Sequence, residues 1–175
     1  MSSHQDGELH RRGLIGVAAL IGGLAAGGAQ AAPQSLVAKP ESDATRSRTS
    51  LHQEVGFKAR PARVYDALMS SKAFSVFTGL PATIDARPGG AIDLFGGRVV
   101  GRNIELIRDR RIVQAWRVVA DFPPGVYSLV KIELAPDGPG TSLVLDHTGF
   151  PEGHFDHLNA GWEPRYWAPL RKFLA

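Results

Sequence analysis

Six short β-strand patterns followed by one long amphipathic helix constrain the fold of this chain more than any other feature. Between residues 82 and 148, runs of alternating or β-branched apolar residues are separated by turn signals rich in Gly, Pro and Asp. Runs at this spacing predict an antiparallel meander. An earlier run at 49–57 alternates polar and apolar residues in the same way and predicts a first strand, which makes seven strands.

Two short helices are predicted between the first strand and the meander. Pro61 stands at the first position of a helix, where its missing N–H costs nothing. The apolar face of that helix follows at helical spacing: Val64, Tyr65, Leu68 and Met69. Ser70 or Ser71 can cap the second helix, which ends near Gly79.

The C-terminal helix carries an apolar stripe that is predicted to face the sheet. The stripe consists of Leu158, Trp162, Tyr166 and Leu170, followed by Phe173 or Leu174. Two prolines interrupt this pattern, and each removes one backbone hydrogen bond. Pro164 favours a regular helix that begins near Glu163, and Pro169 favours a kink.

This order of elements is the helix-grip order, and several runs carry a closer resemblance: PARVYDALMSSKAFSVFTG, PGGAIDLFGG, GRNIELIRDRRIVQAWR, TSLVLDHTGFP and GWEPRYWAPLRKFL. Over residues 49–175 the chain resembles the bacterial branch of the family named for the heat-shock-protein-90 ATPase activator homologues. That family belongs to the superfamily of START, pollen-allergen-like and polyketide-cyclase domains. The resemblance implies an α+β helix-grip fold: a curved seven-stranded antiparallel sheet around a long C-terminal helix, with two short helices after strand 1 and a hydrophobic cavity. It does not fix the activity.

The first 31 residues have the pattern of a signal peptide. Arg11 and Arg12 precede an apolar, glycine-rich run, and an Ala-x-Ala cleavage signature ends at Ala31. The paired arginines resemble a twin-arginine signal. We therefore expect cleavage after Ala31 and export to the periplasm, with an uncleaved membrane anchor as the alternative. Residues 32–48 lack periodicity and read as a flexible linker, so the folded domain is expected at 49–175.

Composition excludes several classes of function. The chain has no cysteine, so it holds no disulfide, thiolate nucleophile or cysteine metal site. The formal net charge is only +3 and the basic residues are scattered, which argues against nucleic-acid binding. No membrane contact of the mature form is expected.

A concave apolar space between sheet and helix is the predicted ligand site. The residues expected to line it are Trp116, Val130, Leu145, His147, Trp162 and Tyr166. His147 and Tyr166 are the polar groups expected to orient the ligand. The loops at 79–81 and 150–152 are expected to form the rim. Arg102 and Arg117 are alternative partners for a ligand carboxylate, although surface positions suit them better.

Histidines and aspartates cluster after the last strand, at His147, His154, Asp156 and His157. Their spacing matches no metal-binding motif of the His-Glu-x-x-His type, so no metal and no cofactor are expected. No complete catalytic motif is present either. His147 is the one candidate for general acid–base catalysis.

These observations predict an exported protein, monomeric or weakly dimeric, that binds a small apolar or amphipathic molecule. Two alternatives stay open. One is a protein-interaction module related to the chaperone ATPase activators. The other is a cavity enzyme, such as a cyclase or hydrolase, that uses His147.

Overall fold

The computed structural model describes residues 48–175. The predicted signal peptide at 1–31 lies outside the described residues, as does the linker at 32–48 except for its last residue. Both assignments stay predictions, together with the domain boundary at residue 49. In the part of the chain that the structure describes, no helix is both long and apolar enough to span a bilayer.

Seven antiparallel strands form one curved sheet, as the sequence predicts. Their bounds are β1 (Ser50–Phe57), β2 (Thr83–Ile84), β3 (Ala91–Leu94), β4 (Val99–Ile107), β5 (Arg111–Val118), β6 (Ser128–Asp137) and β7 (Gly140–Thr148). The order across the sheet is β1-β7-β6-β5-β4-β3-β2. The meander from β2 to β7 pairs each strand with the next, and β1 then pairs with β7, where Leu51 lies opposite His147.

Alternation along the strands places the predicted residues on the inner face of the sheet. The buried side chains of β6 and β7 are Val130, Ile132, Leu134, Leu143, Leu145 and His147. Ile112, Gln114 and Trp116 of β5 are buried on the same side. The inner face is therefore mostly apolar, and its buried polar side chains, which include Gln114, Ser128 and His147, need hydrogen-bond partners there.

Two short helices follow β1, as predicted: α1 (Pro61–Met69) and α2 (Ser71–Thr78). The Ser70 hydroxyl accepts a hydrogen bond from the backbone N–H of Ala73 at 3.3 Å, which identifies Ser70 as the cap of α2. Gly79 ends α2 with a φ of 69°, a left-handed conformation that glycine adopts without a steric penalty.

Strand β4 has two unusual features: its backbone lies very close to that of β5, and it contains a β-bulge. A side-chain carbon at Gly101 would collide with the carbonyl oxygen of Ala115, so only glycine lets β4 lie this close to β5. The strand register shifts between Asn103 and Glu105, which marks a β-bulge. Asn103 is fully buried beside this bulge, while Ile104 is exposed.

The C-terminal helix consists of α3 (Phe155–Trp162), a π-helical segment (Glu163–Trp167) and α4 (Ala168–Leu174). The expected start near Glu163 is wrong, because helical structure already begins at Phe155. Pro164 is tolerated inside the helix because it lies in the π-helical segment, where the regular hydrogen-bond ladder is interrupted. Pro169 is the second residue of α4 and directly follows the π-helical segment.

The π-helical segment decides which aromatic side chains face the sheet. Residues five apart come into register in a π-helix, and the Trp162 and Trp167 rings stack with centroids 5.1 Å apart at an angle of 13°. Trp167, Tyr166 and Trp162 are all buried. The indole N–H of Trp167 also donates to the side-chain oxygen of Gln53 at 2.7 Å, which links the helix to β1.

Candidate functional site

A cavity of about 670 Å³ lies between the C-terminal helix and one end of the sheet. Its walls come from the β3–β4 hairpin (95–99), the end of β5 with the following residues (116–121) and one side of the helix (157–169). The volume falls in the range of roughly 300–1,000 Å³ that is usual for small-molecule sites.

Stacked aromatic rings form one wall of this cavity. Trp116 of β5 and Trp162 of α3 stack with ring centroids 5.2 Å apart at an angle of 26°. The Tyr166 ring lies 4.7 Å from Trp162 and 5.9 Å from Trp116. Offset aromatic pairs of this kind hold one another in place, so the wall is rigid and apolar.

A buried polar chain fixes the orientation of the Trp116 ring. The indole N–H donates to Gln114 at 2.9 Å, and the Gln114 amide donates to the Asn103 side-chain oxygen at 2.8 Å. The Asn103 amide in turn donates to the carbonyl oxygen of Asp85 at 2.7 Å. A satisfied buried network is costly to disturb. The sequence signal for it is Gln114 on a strand face shared with Ile112 and Trp116.

The Phe95 ring packs against the Tyr166 ring, with centroids 5.3 Å apart. Its φ is 57°, in the left-handed region that bulky residues rarely adopt. Such a conformation costs about 1–3 kcal/mol and persists only where surrounding contacts hold it. Burial of the ring against Tyr166 and Phe74 supplies those contacts. The β3–β4 hairpin is therefore held in a strained form at the cavity wall.

His147 is fully buried and presents one hydrogen-bonded and one free ring nitrogen. Its Nε2 lies 2.7 Å from the hydroxyl oxygen of Ser128, and that hydroxyl donates to the carbonyl oxygen of Trp116 at 3.3 Å. Ser128 therefore accepts from His147, so Nε2 carries the proton and Nδ1 is a bare acceptor. Nδ1 has no partner among the described residues. Burial lowers the pKa of His147 to about 4, so the ring is neutral at pH 7.

Tyr166 supplies a second polar group to the cavity wall. The side chain is only 4% exposed, and its hydroxyl forms no hydrogen bond to another residue in the described range. Burial raises the pKa of Tyr166 well above its usual value, so the hydroxyl stays protonated and can donate or accept. The Trp162 ring contacts both polar residues, with centroids 5.8 Å from His147 and 4.7 Å from Tyr166.

Four of the six predicted ligand-binding residues lie on the cavity wall: Trp116, His147, Trp162 and Tyr166. The structure places the other two, Val130 and Leu145, in the core with no exposed surface. Packed side chains fill the space over β6 and β7 at those positions, and the cavity lies over the end of β5 and the β3–β4 hairpin instead. Whether a ligand contacts the four wall residues stays a prediction.

The rim differs from the predicted one on one side. Leu80 lines the cavity as expected, but residues 150–152 do not. Phe150 is buried against the His147 ring, with centroids 5.1 Å apart. The rim on that side is formed by residues 120–121 and by His157, whose Nε2 lies 3.7 Å from the Asp121 carboxylate.

The histidines of the 147–157 segment do not converge. His154 contacts Phe122, with ring centroids 5.8 Å apart, while His157 faces Asp121 and His147 faces Ser128. Within residues 48–175, no group of three His, Asp or Glu side chains is placed to hold a metal ion. These residues therefore serve separate packing and pairing roles in this structure.

Two arginines on the wall were not expected from the sequence. Arg98 lies in the β3–β4 turn, directly before β4, and Arg165 lies in the π-helical segment. The suggested Arg102 and Arg117 do not line the cavity: Arg102 is exposed elsewhere, and Arg117 lies near the carbonyl oxygens of Phe122 and Pro123. A second helical stripe could have revealed Arg165, because Gly161, Arg165 and Pro169 recur every four residues and all line the cavity.

Curated proteins with related sequences are named as chaperone ATPase activators. A Dictyostelium discoideum activator of 90 kDa heat shock protein ATPase homolog is 31% identical over 125 residues, which are 71% of this chain and 32% of that protein. The human homolog 1 is 24% identical over 66% of this chain and 34% of its own length. The chain thus matches about a third of the length of these relatives.

Solved structures with the same fold include several bacterial proteins. An Hsp90 activator from Plasmodium falciparum has a TM-score of 0.68 at 22% identity, covering 73% of this chain and 96% of that chain. CalU16 from Micromonospora echinospora has a TM-score of 0.62 at 23% identity, over 72% and 76% of the two chains. The Aha1 dimer from Colwellia psychrerythraea has a TM-score of 0.61 at 19% identity, over 73% and 96%. These likenesses confirm the predicted helix-grip fold.

A family model provides the assignment. The model described as "Activator of Hsp90 ATPase homolog 1-like protein" matches residues 58–175, which include α1, α2, strands β2 to β7 and the entire C-terminal helix. The matched segment also contains every residue of the cavity wall. The chain therefore belongs to the family of activator of Hsp90 ATPase homolog 1-like proteins.

Proposed function

We propose that this protein binds a small amphipathic molecule in the cavity between the C-terminal helix and the sheet. The observation that carries the proposal is a buried, unsatisfied polar atom beside an apolar wall. The Nδ1 atom of His147 is buried and has no partner among the described residues. A buried polar group without a partner costs about 1–3 kcal/mol, which a ligand hydroxyl or amide can offset.

The aromatic wall supplies the affinity, and the polar groups of His147 and Tyr166 supply the orientation. Each 100 Å² of apolar ligand surface removed from water contributes about 2.5 kcal/mol, before the entropic cost of association. A ligand N–H or O–H donates to His147 Nδ1, and the Tyr166 hydroxyl donates to or accepts from a second group. Trp116 and Trp162 are already stacked, so little side-chain ordering is required on binding.

The protonation state of His147 favours binding over the alternative of a cavity enzyme. A general base works best when its pKa is near the working pH. Burial lowers the pKa of His147 to about 4, so at pH 7 the ring is a weak base and a good neutral acceptor. A cyclase or hydrolase would need a ligand that raises this pKa on binding.

N-phenylnaphthylamine, a neutral fluorescent aromatic amine, is a suitable first probe. We expect saturable binding with enhanced probe fluorescence and energy transfer from Trp116 and Trp162. Gly161→Leu fills the cavity, and it is sterically allowed because a Cβ at Gly161 comes no closer than 3.6 Å to the Arg165 side chain. This variant should weaken binding by about tenfold or more, equivalent to about 1.4 kcal/mol.

The matched control is Ala160→Leu, which adds the same side chain at the neighbouring exposed position, away from the cavity wall. It should bind the probe like the parent protein. Equal binding by all three proteins would show that the probe sits elsewhere on the surface. An absence of saturable binding by the parent protein, both of this probe and of an anionic analogue of it, would remove the proposal.

Export to the periplasm is part of this proposal and rests on the amino-acid sequence of residues 1–31. We expect Arg11→Lys combined with Arg12→Lys to retain the protein in the cytoplasm, because the twin-arginine signal requires the arginine pair. Cell fractionation with immunoblotting measures the distribution. The control is the pair Arg46→Lys and Arg48→Lys, which lies outside the predicted leader. Equal export of both variants would contradict a twin-arginine route.

Activation of a chaperone ATPase is the second candidate, because the curated relatives carry that name. The outer face of the sheet would be the contact surface, where Tyr127 and Leu129 are 50% and 42% exposed. Charged side chains nearby are largely paired within the chain, as in the contact of Lys131 with Asp146 at 3.0 Å. The test is the ATPase rate of the Hsp90 from the same organism with and without this protein. A stimulated rate would favour the second candidate.

A further inference from the structure

Two cationic side chains flank the cavity from opposite walls. Arg98 belongs to the β3–β4 hairpin, and Arg165 belongs to the C-terminal helix. Both are exposed at the mouth, and neither forms an ion pair with another residue in the range 48–175, whereas Arg87, Arg108, Arg111 and Arg171 all do. An unpaired surface arginine is common, but two that line one apolar cavity offer it two guanidinium groups, which suit an anion.

Backbone and packing contacts hold both arginines at the mouth. The carbonyl oxygen of Arg98 accepts a hydrogen bond from the N–H of Val119 at 2.9 Å, which ties the hairpin to the residues after β5. The guanidinium of Arg165 lies over Gly161, one turn earlier in the helix, where a Cβ would sit 3.6 Å from Nη1. Gly161 also lines the cavity, so the Arg165 guanidinium lies on the side of the helix that faces it.

The remaining charged groups of the wall leave the mouth positive. They are Asp121 and His157, which face each other at 3.7 Å. The wall thus carries two guanidinium groups and a single carboxylate, that of Asp121. A ligand carboxylate or sulfonate at the mouth would meet a net positive charge.

We infer that the ligand is an anionic amphiphile, with an apolar ring or chain against Trp116 and Trp162 and an acidic group between Arg98 and Arg165. This inference rests on the proposed function, since it specifies the chemistry of the molecule that the cavity binds. Guanidinium groups form ion-paired hydrogen bonds with carboxylates and sulfonates, and these bonds are stronger than those to a neutral acceptor. The two arginines therefore distinguish acids from neutral molecules with the same apolar body.

The test compares two probes that share one skeleton and differ by one charge: neutral N-phenylnaphthylamine and its sulfonated counterpart, anilinonaphthalene sulfonate. The folded parent protein should prefer the sulfonate. Arg98→Gln and Arg165→Gln should each weaken sulfonate binding by about threefold to fivefold, as expected for partly exposed charge pairs. The double variant should weaken it by about tenfold and leave the neutral probe within about twofold.

Two controls separate charge at the mouth from other effects. Arg102→Gln removes an exposed arginine away from the cavity and should change neither probe. Arg98→Lys and Arg165→Lys retain the charge and should retain most of the preference for the sulfonate. Thermal unfolding of each variant verifies that it is folded before titration.

The outcomes separate the inference from the proposed function. Binding of the neutral probe with no preference for the sulfonate overturns the anionic ligand and leaves the binding cavity intact. A preference that survives in the double Gln variant overturns the assignment to Arg98 and Arg165. Failure of both probes to bind overturns the proposed function itself, and the inference with it.

Discussion

Replacing Trp162 with alanine is expected to lower the free energy of unfolding by about 3–5 kcal/mol. The side chain is only 4% exposed and stacks between Trp116 and Trp167, at centroid distances of 5.2 and 5.1 Å. Its removal takes apolar surface out of the core and leaves both neighbouring rings without a stacking partner. The helix would lose its main contact with β5. Chemical denaturation followed by far-UV circular dichroism measures the effect without relying on tryptophan fluorescence.

Phe173→Ala is the matched control, because it truncates another aromatic residue of the same helix. Phe173 is 38% exposed and contacts only the edge of the core through Phe77, at 6.1 Å between centroids. Its truncation should cost about 1 kcal/mol or less. Similar losses in the two variants would show that burial of the Trp162 ring does not set the stability of this region, because helix propensity favours alanine at both positions.

The sheet could be predicted from the sequence because its signals are local. Turn residues separate the strands, and alternation along each strand identifies the inner face. The inward positions of β7, at Leu143, Leu145 and His147, are all buried. The run at 82–87 yields only Thr83–Ile84 as β2, because Asp85 leaves the strand: its carbonyl oxygen accepts bonds from Arg87 and from the Asn103 amide.

The interior of the C-terminal helix could not be predicted locally. A proline at residue 164 argues against helix on propensity alone. The helix continues through Pro164, but its hydrogen bonds there have the π-helical pattern. Trp162 and Trp167, five residues apart, therefore stack on each other. Tertiary packing of three large aromatic rings outweighs the local cost. The stripe of every fourth residue identifies Trp162 and Tyr166, but it leaves Trp167 on a different face.

The candidate site was predictable only in part, for a related reason. Residue type and strand face identify Trp116 and His147 as inward-facing groups. The position of the opening depends on the β3–β4 hairpin, where Phe95 adopts a left-handed conformation that its sequence does not signal. That hairpin also places Arg98 at the mouth, although Arg98 follows an ordinary turn in the sequence. Val130 and Leu145 occupy inward strand positions, as Trp116 and His147 do. They differ from these two wall residues only in the side chains that pack over them.

Acidification from pH 7 to pH 4 is expected to destabilise the fold by about 3 kcal/mol through His147 alone. The folded pKa is about 4, below the ordinary value of 6.5, because burial disfavours the charged ring. Between these values the unfolded chain binds a proton that the folded chain does not, so stability falls as the pH falls. The loss is about 1.4 kcal/mol for each pH unit within this window and stops below pH 4.

Other groups also titrate in this range and have to be separated from His147. On the outer face, the hydrogen bond to Asp146 raises the pKa of His52, so the stability from that pair is present at low pH and lost as the pH rises. The same pairing lowers the pKa of Asp146. The stability that this carboxylate contributes is lost only as the pH falls below the ordinary pKa range of an aspartate. His52 therefore opposes the effect of His147, and the pH dependence of the parent protein is a sum of both.

His147→Gln isolates the buried group, because a glutamine amide can still donate to Ser128 and does not titrate. The variant is expected to be less stable than the parent protein at pH 7, since it loses ring contacts with Trp116, Phe150 and Trp162. This deficit should shrink by about 3 kcal/mol between pH 7 and pH 4. Denaturant unfolding of both proteins at several pH values measures the difference. Parallel curves would mean that His147 takes up its proton in the folded state as readily as in the unfolded chain, and its free Nδ1 would then already be satisfied by water.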